Sequence, residues 1–201
     1  MTPHNTGWVE VIAGCMFSGK TSTLINRLTR ATLAKQKVVA FKPLVDNRHE
    51  SPHILSHEGF FQDRREFKAT PMASSEAVFE ASRDAEVVGI DEAQFFDPGL
   101  PDVVERLARQ GKRIVLAGLD LDYRGQPFGV VPELLARADE VDKTHAVCMV
   151  CGASATRSQR IADSDETVLV GDDAVYQARC RAHWSPEPVL SRQANNDFAE
   201  G

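Results

Sequence analysis

Residues 14–21 read Gly14-Cys15-Met16-Phe17-Ser18-Gly19-Lys20-Thr21, a complete match to the pattern G-x-x-x-x-G-K-[ST]. The apolar run Trp8-Val9-Glu10-Val11-Ile12-Ala13 precedes them, and a helical pattern from Ser22 to Lys35 follows. Strand, loop and helix in that order are what such a loop requires, and they argue against a plain glycine turn. Glycines let the backbone curl until successive N–H groups point inward at an anion. The helix N-terminus adds its partial positive charge. Lys20 is placed to reach β- and γ-phosphates, and the Thr21 hydroxyl to face Mg²⁺.

Working outward, Lys37-Val38-Val39-Ala40-Phe41-Lys42 reads as a second strand, ended by Pro43, with a polar loop at Asp46-Asn47-Arg48 beyond it. The stretch from Ser51 to Lys68 is poorly periodic, with short β-like pieces around Gly59. Ser74 to Arg83 reads as a serine-capped helix, and Ala85 to Ile90 as a buried strand that runs into Asp91-Glu92. Pro98 to Gln110 is helical with Gly111 as its stop, and Arg113 to Gly118 is a further strand. A turn-rich loop spans Leu119 to Gly129, and a short helix Pro132 to Ala138. Alternating strands and helices predict an α/β fold with a mostly parallel sheet flanked by helices. From Val141 the pattern changes to short β pieces and paired metal-type ligands. The predicted division is therefore a nucleotide-binding domain over 1–142, a small metal-binding domain over 143–190 and a disordered tail over 191–201.

The composition bounds the function. A hydrophobic content of 42% supports a real core, and a net charge of −6 argues against a general nucleic-acid binder. The opening residues lack the charged-then-apolar pattern of a signal peptide, and no apolar stretch approaches membrane-spanning length. Cys15 lies in the phosphate loop, while Cys148, Cys151 and Cys180 cluster late. That is not a disulfide framework, so a reducing cytoplasm is expected.

Two constellations carry chemistry. Asp91 and Glu92 end a buried strand, at the sheet edge where the phosphate loop also opens. Neighbouring strand residues face opposite ways, so one carboxylate can orient Mg²⁺ and the other act as general base. A solvated strand end is the bland alternative. The second constellation is Cys148-x2-Cys151, then 28 residues, then Cys180-x2-His183. Two short-spaced pairs of soft ligands suit tetrahedral Zn²⁺ with no open position, hence a structural site. Nearby His145 reads as a strand residue.

Taken in order, the phosphate loop, Asp46-Asn47-Arg48, Ser56-His57-Glu58-Gly59, Ile90-Asp91-Glu92-Ala93-Gln94-Phe95-Phe96, Leu119-Asp120 with Pro127-Phe128-Gly129, and the two ligand pairs form a pattern. From about Gly7 to His183 it resembles type II thymidine kinases. The resemblance implies transfer of the γ-phosphate of ATP, with Mg²⁺, to the 5′-hydroxyl of thymidine by a RecA-like core. It also implies a zinc-containing lasso domain and a homotetramer. Carried over, Glu92 is the base and Asp91 belongs to the Mg²⁺ shell. Asp46, Arg48, Ala93 and Gln94 lie in the ATP site. Met16, Phe95, Leu119, Tyr123 and Phe128 line the thymidine pocket, and Thr167, Val168, Leu169, Val170, Gly171 and Tyr176 close over it. Three positions depart from the pattern. His183 stands where many members have cysteine, Asp172 where a second glycine is usual, and Tyr123 where phenylalanine is frequent. The rival readings are an ATP hydrolase on the same core and a zinc-ribbon nucleic-acid adaptor. Because the phosphate loop and the ligand pairs fall in different predicted domains, loss of the metal is expected to affect thymidine far more than ATP.

Overall fold

A computed structural model describes residues 6–44, 53–55, 66–162 and 175–189. The central sheet contains six strands in the order β5-β2-β6-β7-β1-β8, all parallel. They are β1 (Trp8–Gly14), β2 (Val38–Pro43), β5 (Thr70–Met72), β6 (Val87–Ile90), β7 (Arg113–Gly118) and β8 (Glu140–Thr144). Among the described residues, four α-helices flank the sheet: α1 (Lys20–Leu33), α2 (Ser75–Ala81), α3 (Leu100–Arg109) and α4 (Val131–Arg137). A small antiparallel pair, β3 (His53–Leu55) with β4 (Glu66–Lys68), lies beside the sheet.

The two faces are separated by the two-residue period of a strand. Val9, Val11, Ala13, Val88, Ile90, Ile114 and Leu116 join the core under α2, α3 and α4. Ile12, Val87, Val115 and Ala117 join the core under α1, with Ile54 and Phe67 of the β3–β4 pair. Helix boundaries follow local chemistry. Ser74 caps α2 by accepting the Ala77 N–H, as its position predicts. Helix α1 starts at Lys20 rather than Ser22, because the last residues of the phosphate loop already form its first turn.

Glu10 interrupts the apolar run on the α1 face. Its side chain is 3% exposed and accepts from Arg27 Nη1 at 2.6 Å and from Arg113 Nε at 2.5 Å and Nη2 at 2.9 Å. The Glu10 hydrogen bond raises the Arg113 pKa above its ordinary value, against the opposing effect of burial. Arg27 also reaches Glu140 and Asp142 on β8.

The main sheet runs on to Thr144. Residues 141–144, read from sequence as small β pieces, form the edge strand beside β1. Its alternation is masked because Val141 is exposed while Glu140 and Asp142, on the other side, pair with Arg27. Beyond it, β9 (Ala146–Val147) pairs with β10 (Ser154–Ala155), and β11 (Arg157–Arg160) with β12 (Tyr176–Arg179). Both pairs are antiparallel and form the small β module. Among the described residues, no helix is long and apolar enough to cross a membrane. The sequence expectations for Asp46, Arg48 and the tail 191–201 lie outside the described residues, as do those for Thr167, Val168, Leu169, Val170, Gly171 and Asp172.

Candidate active site

The phosphate loop leaves β1 and enters α1 at the carboxyl edge of the sheet. Gly19 adopts φ 78 and caps α1, a left-handed conformation that favours glycine. Phe17 is also left-handed, at φ 63, and is exposed at the tip of the loop. The loop's shape is held largely from within and from the end of β8. Ser18 Oγ donates to the Cys15 carbonyl at 2.7 Å and lies 2.9 Å from Thr144 Oγ1 at the end of β8. The Thr144 hydroxyl in turn donates to the Ala13 carbonyl at 3.2 Å. A Cβ on Gly14 would lie 2.4 Å from the Thr144 carbonyl oxygen, so only glycine allows this approach.

Lys20 folds back to donate to the Cys15 carbonyl at 2.6 Å. The residue is half-buried overall, yet burial is the largest influence on its ammonium. It pushes Lys20 below its ordinary value, against the pull of Glu92, Cys15, Asp91 and Asp120. A polyanion bound in the loop would supply the negative charge that favours this ammonium. Thr21 Oγ1 donates to Asp91 Oδ1 at 3.4 Å, so the two proposed Mg²⁺ residues meet.

Strand β7 separates β1 from β6, and the end of β6 thereby faces the loop across it. Asp91 is anchored by its N–H to the Phe41 carbonyl at 3.0 Å. Glu92 follows at φ 51 and ψ 43, a left-handed conformation costly for a side chain with a Cβ. A single 3₁₀ turn, Ala93–Phe95, comes next. Asp120, also buried, pairs with Lys143 Nζ at 2.8 Å.

Several predicted pocket residues come together. The rings of Phe95 and Phe128 pack edge to face, with centroids 5.6 Å apart. Leu119 begins the loop after β7 and donates its N–H to Gln94. Tyr123 and Tyr176 approach each other through Arg160, which is fully buried. The Arg160 guanidinium lies 3.8 Å above the Tyr123 ring and donates to the Tyr176 hydroxyl at 2.5 Å. The Tyr123 hydroxyl, the feature that departs from the usual phenylalanine, accepts from Arg124 Nε at 2.7 Å. Sequence reasoning missed Arg160, Thr144 and Ser158, since a polar residue on a short strand carries no periodic signal.

In the small module, Cys148, Cys151, Cys180 and His183 bring their ligand atoms within 4.8 Å of one another. Cys151 Sγ and Cys180 Sγ are 3.8 Å apart, and His183 Nδ1 lies 3.2 Å from Cys180 Sγ and 3.9 Å from Cys148 Sγ. Sulfurs held tetrahedrally at about 2.3 Å from one ion lie about 3.8 Å apart, so the cluster fits a metal. Burial of Cys148 opposes ionisation, but N–H groups of Cys180, Val150 and Cys151 outweigh it and lower the thiol to about 6. A thiolate at neutral pH is what a metal ligand requires.

The phosphate loop is not remote from this module. Cys15 shares an apolar cluster with Ala146, Cys148, Ala155 and Ala178. Its thiol donates to the Ala155 carbonyl at 3.4 Å, and burial pushes the Cys15 pKa up, which keeps that donor protonated. The Met16 N–H donates to Ser158 Oγ at 3.0 Å. The phosphate loop and the small module are therefore in direct contact, a link that the division into separate domains did not anticipate.

Comparison with known proteins agrees with this geometry. The thymidine kinase family model matches residues 7–184. A thymidine kinase of Coprothermobacter proteolyticus is 49% identical over 183 residues, covering 88% of this chain and 90% of that protein. Thymidine kinases of Bdellovibrio bacteriovorus and a Rhodothermus species are each 46% identical, over 92% and 90% of this chain and 88% and 83% of theirs. With its phosphate loop, acidic strand end and Cys3His cluster in one assembly, the chain belongs to the thymidine kinase family.

Proposed function

We propose that the protein transfers the γ-phosphate of ATP to the 5′-hydroxyl of thymidine, giving thymidine monophosphate. The observation that carries this reading is the meeting of Lys20, Thr21 and Asp91 with Glu92 at one sheet edge, where Thr21 Oγ1 lies 3.4 Å from Asp91 Oδ1. The phosphate loop binds the triphosphate through its N–H groups and the N-terminus of α1. Lys20 exchanges its contact with the Cys15 carbonyl for the β- and γ-phosphates and stabilises the charge that develops there. Thr21 and Asp91 are the residues that would hold Mg²⁺, which supplies charge neutralisation between the phosphates when bound. Glu92 accepts the proton of the 5′-hydroxyl as its oxygen attacks the γ-phosphorus and the ADP oxygen leaves. Phe95 and Phe128 form an apolar wall for the nucleoside, and Tyr123 and Tyr176, bridged by Arg160, flank the same pocket.

Cys148, Cys151, Cys180 and His183 would hold a structural Zn²⁺, since all four positions of a tetrahedral ion are filled by protein. The reading carries with it a cytoplasmic homotetramer that acts on ATP and thymidine and does not need nucleic acid. Size-exclusion chromatography with light scattering measures the assembly.

A thymidine-dependent ATP consumption assay tests the function. Turnover should require thymidine, and Glu92→Gln should lower kcat by about 10²–10⁴-fold while nucleoside binding persists. ATP consumption that ignores thymidine would favour a hydrolase instead.

A further inference from the structure

Gln94 is 4% exposed and stands between the ends of two strands. Its Nε2 donates to Glu92 Oε2, and its Oε1 accepts the N–H of Leu119, the first residue after β7, at 3.0 Å. The amide has one workable orientation. Flipped, it would set its NH₂ against the Leu119 N–H and its carbonyl oxygen against the Glu92 carboxylate. Two glycines make room for it. A Cβ on Gly118 would lie 3.0 Å from Gln94 Oε1, and a Cβ on Gly129 would lie 2.2 Å from the Gln94 backbone oxygen. Glu92 itself sits in a left-handed conformation, which persists only where surrounding structure enforces it.

We propose that Gln94 is the positioning residue of Glu92, its amide clamping the carboxylate in reactive orientation and fixing that orientation to the end of β7. The proposal rests on the reading of Glu92 as the base. A backbone N–H on β7 sets the direction of the Gln94 amide, and that amide sets the direction of the carboxylate. In place of the ATP contact that the resemblance implies, this role has Gln94 act through Glu92 and touch neither substrate, so its removal lowers the rate and leaves affinity alone.

Two variants test it. Gln94→Met removes both bonds. Gln94→Glu keeps an acceptor for the Leu119 N–H and replaces the donor toward Glu92 by a repelling oxygen. Loss of a hydrogen bond to a charged partner corresponds to roughly 10–100-fold. Both variants should lose kcat on that scale, with the KM values for ATP and thymidine within about twofold of wild type on the same criterion. In a Glu92→Ala background, Gln94→Met should cost no further rate, because the group it positions is gone. Wild-type kcat in both variants overturns the proposal, as does an undiminished loss in the Glu92→Ala background. If Glu92→Gln alone retains full rate, the base reading falls and this proposal with it. If Glu92→Gln loses rate and the Gln94 variants do not, only the proposal falls.

Discussion

Replacing Cys180 by serine tests whether the Cys3His cluster supports one substrate site or two. The buried residues of the module's apolar cluster are Ala146, Cys148, Ala155 and Ala178 together with Cys15 of the phosphate loop, with Val150 and Cys180 packed partly buried against them. Five methyl-sized groups contribute about 4 kcal/mol at about 0.8 kcal/mol each. Ordering each residue of the module costs about 1 kcal/mol or more. The apolar cluster cannot meet that cost, so the metal must hold the two ligand pairs together. Without it β9–β12 loosen, and two bonds to the phosphate loop loosen with them, Cys15 Sγ to Ala155 O and Met16 N to Ser158 Oγ. An ordinary hydrogen bond contributes about 1 kcal/mol and a thiol bond less, so ATP affinity should fall on the order of tenfold. Thymidine affinity should fall in parallel, since Arg160 lies on β11 and Tyr176 on β12. Elemental analysis measures the metal, and titration calorimetry with ATP and no nucleoside measures the loop. A variant that lacks metal yet binds ATP as wild type does would show that the loop keeps its shape unaided, and the argument would fail.

Lys20→Ala should abolish measurable transfer, a loss of at least about 10²–10³-fold for a stabilising group at the phosphates, and near-normal turnover would remove the loop from the mechanism. Glu10→Ala takes the carboxylate from Arg113 and leaves Arg27 only Glu140 and Asp142 of β8, and should cost about 3 kcal/mol, which a thermal melt reads as a drop of about 6–12 °C. A Tm within a degree or so of wild type would mean that the arginines simply rehydrate. Burial pushes Asp97 up, but the Ser75 hydroxyl and the N–H groups of Ser75 and Gly99 outweigh it and hold the carboxyl below its ordinary value. A folded value below the unfolded one gives stability that is present above about pH 4 and is lost as pH falls further. Asp97→Asn should therefore flatten the fall of Tm between about pH 5 and pH 3, and an unchanged acid slope would refute it.

What was legible in the sequence is what is encoded locally. The loop from Gly14 to Thr21 is contiguous, and its glycines, lysine and hydroxyl act through the backbone that carries them, so its role could be read without the fold. The buried strands β1, β6 and β7 declare themselves as apolar runs, and the metal ligands come as two short-spaced pairs. Illegible were residues whose meaning depends on a partner far along the chain. Thr144 supports a loop that begins 130 positions earlier, and Ser158 ties down Met16 across a separation of 142. Each is an ordinary hydroxyl residue, and neither spacing nor periodicity marks it. Strand β8 was misread for a related reason. An edge strand whose carboxylates pair with Arg27 reads as one of the short β pieces of the next unit until β1 is beside it. Gln94 lies between these cases. The resemblance placed it in the ATP site, but only the Leu119 N–H fixes which way its amide points, and that N–H reaches it by the closing of β7 beside β6. The motif therefore names the chemical groups, and the sheet order aims them. For this reason Asp91 and Glu92, adjacent in sequence, end up with different partners: the first meets Thr21 and the second meets Gln94.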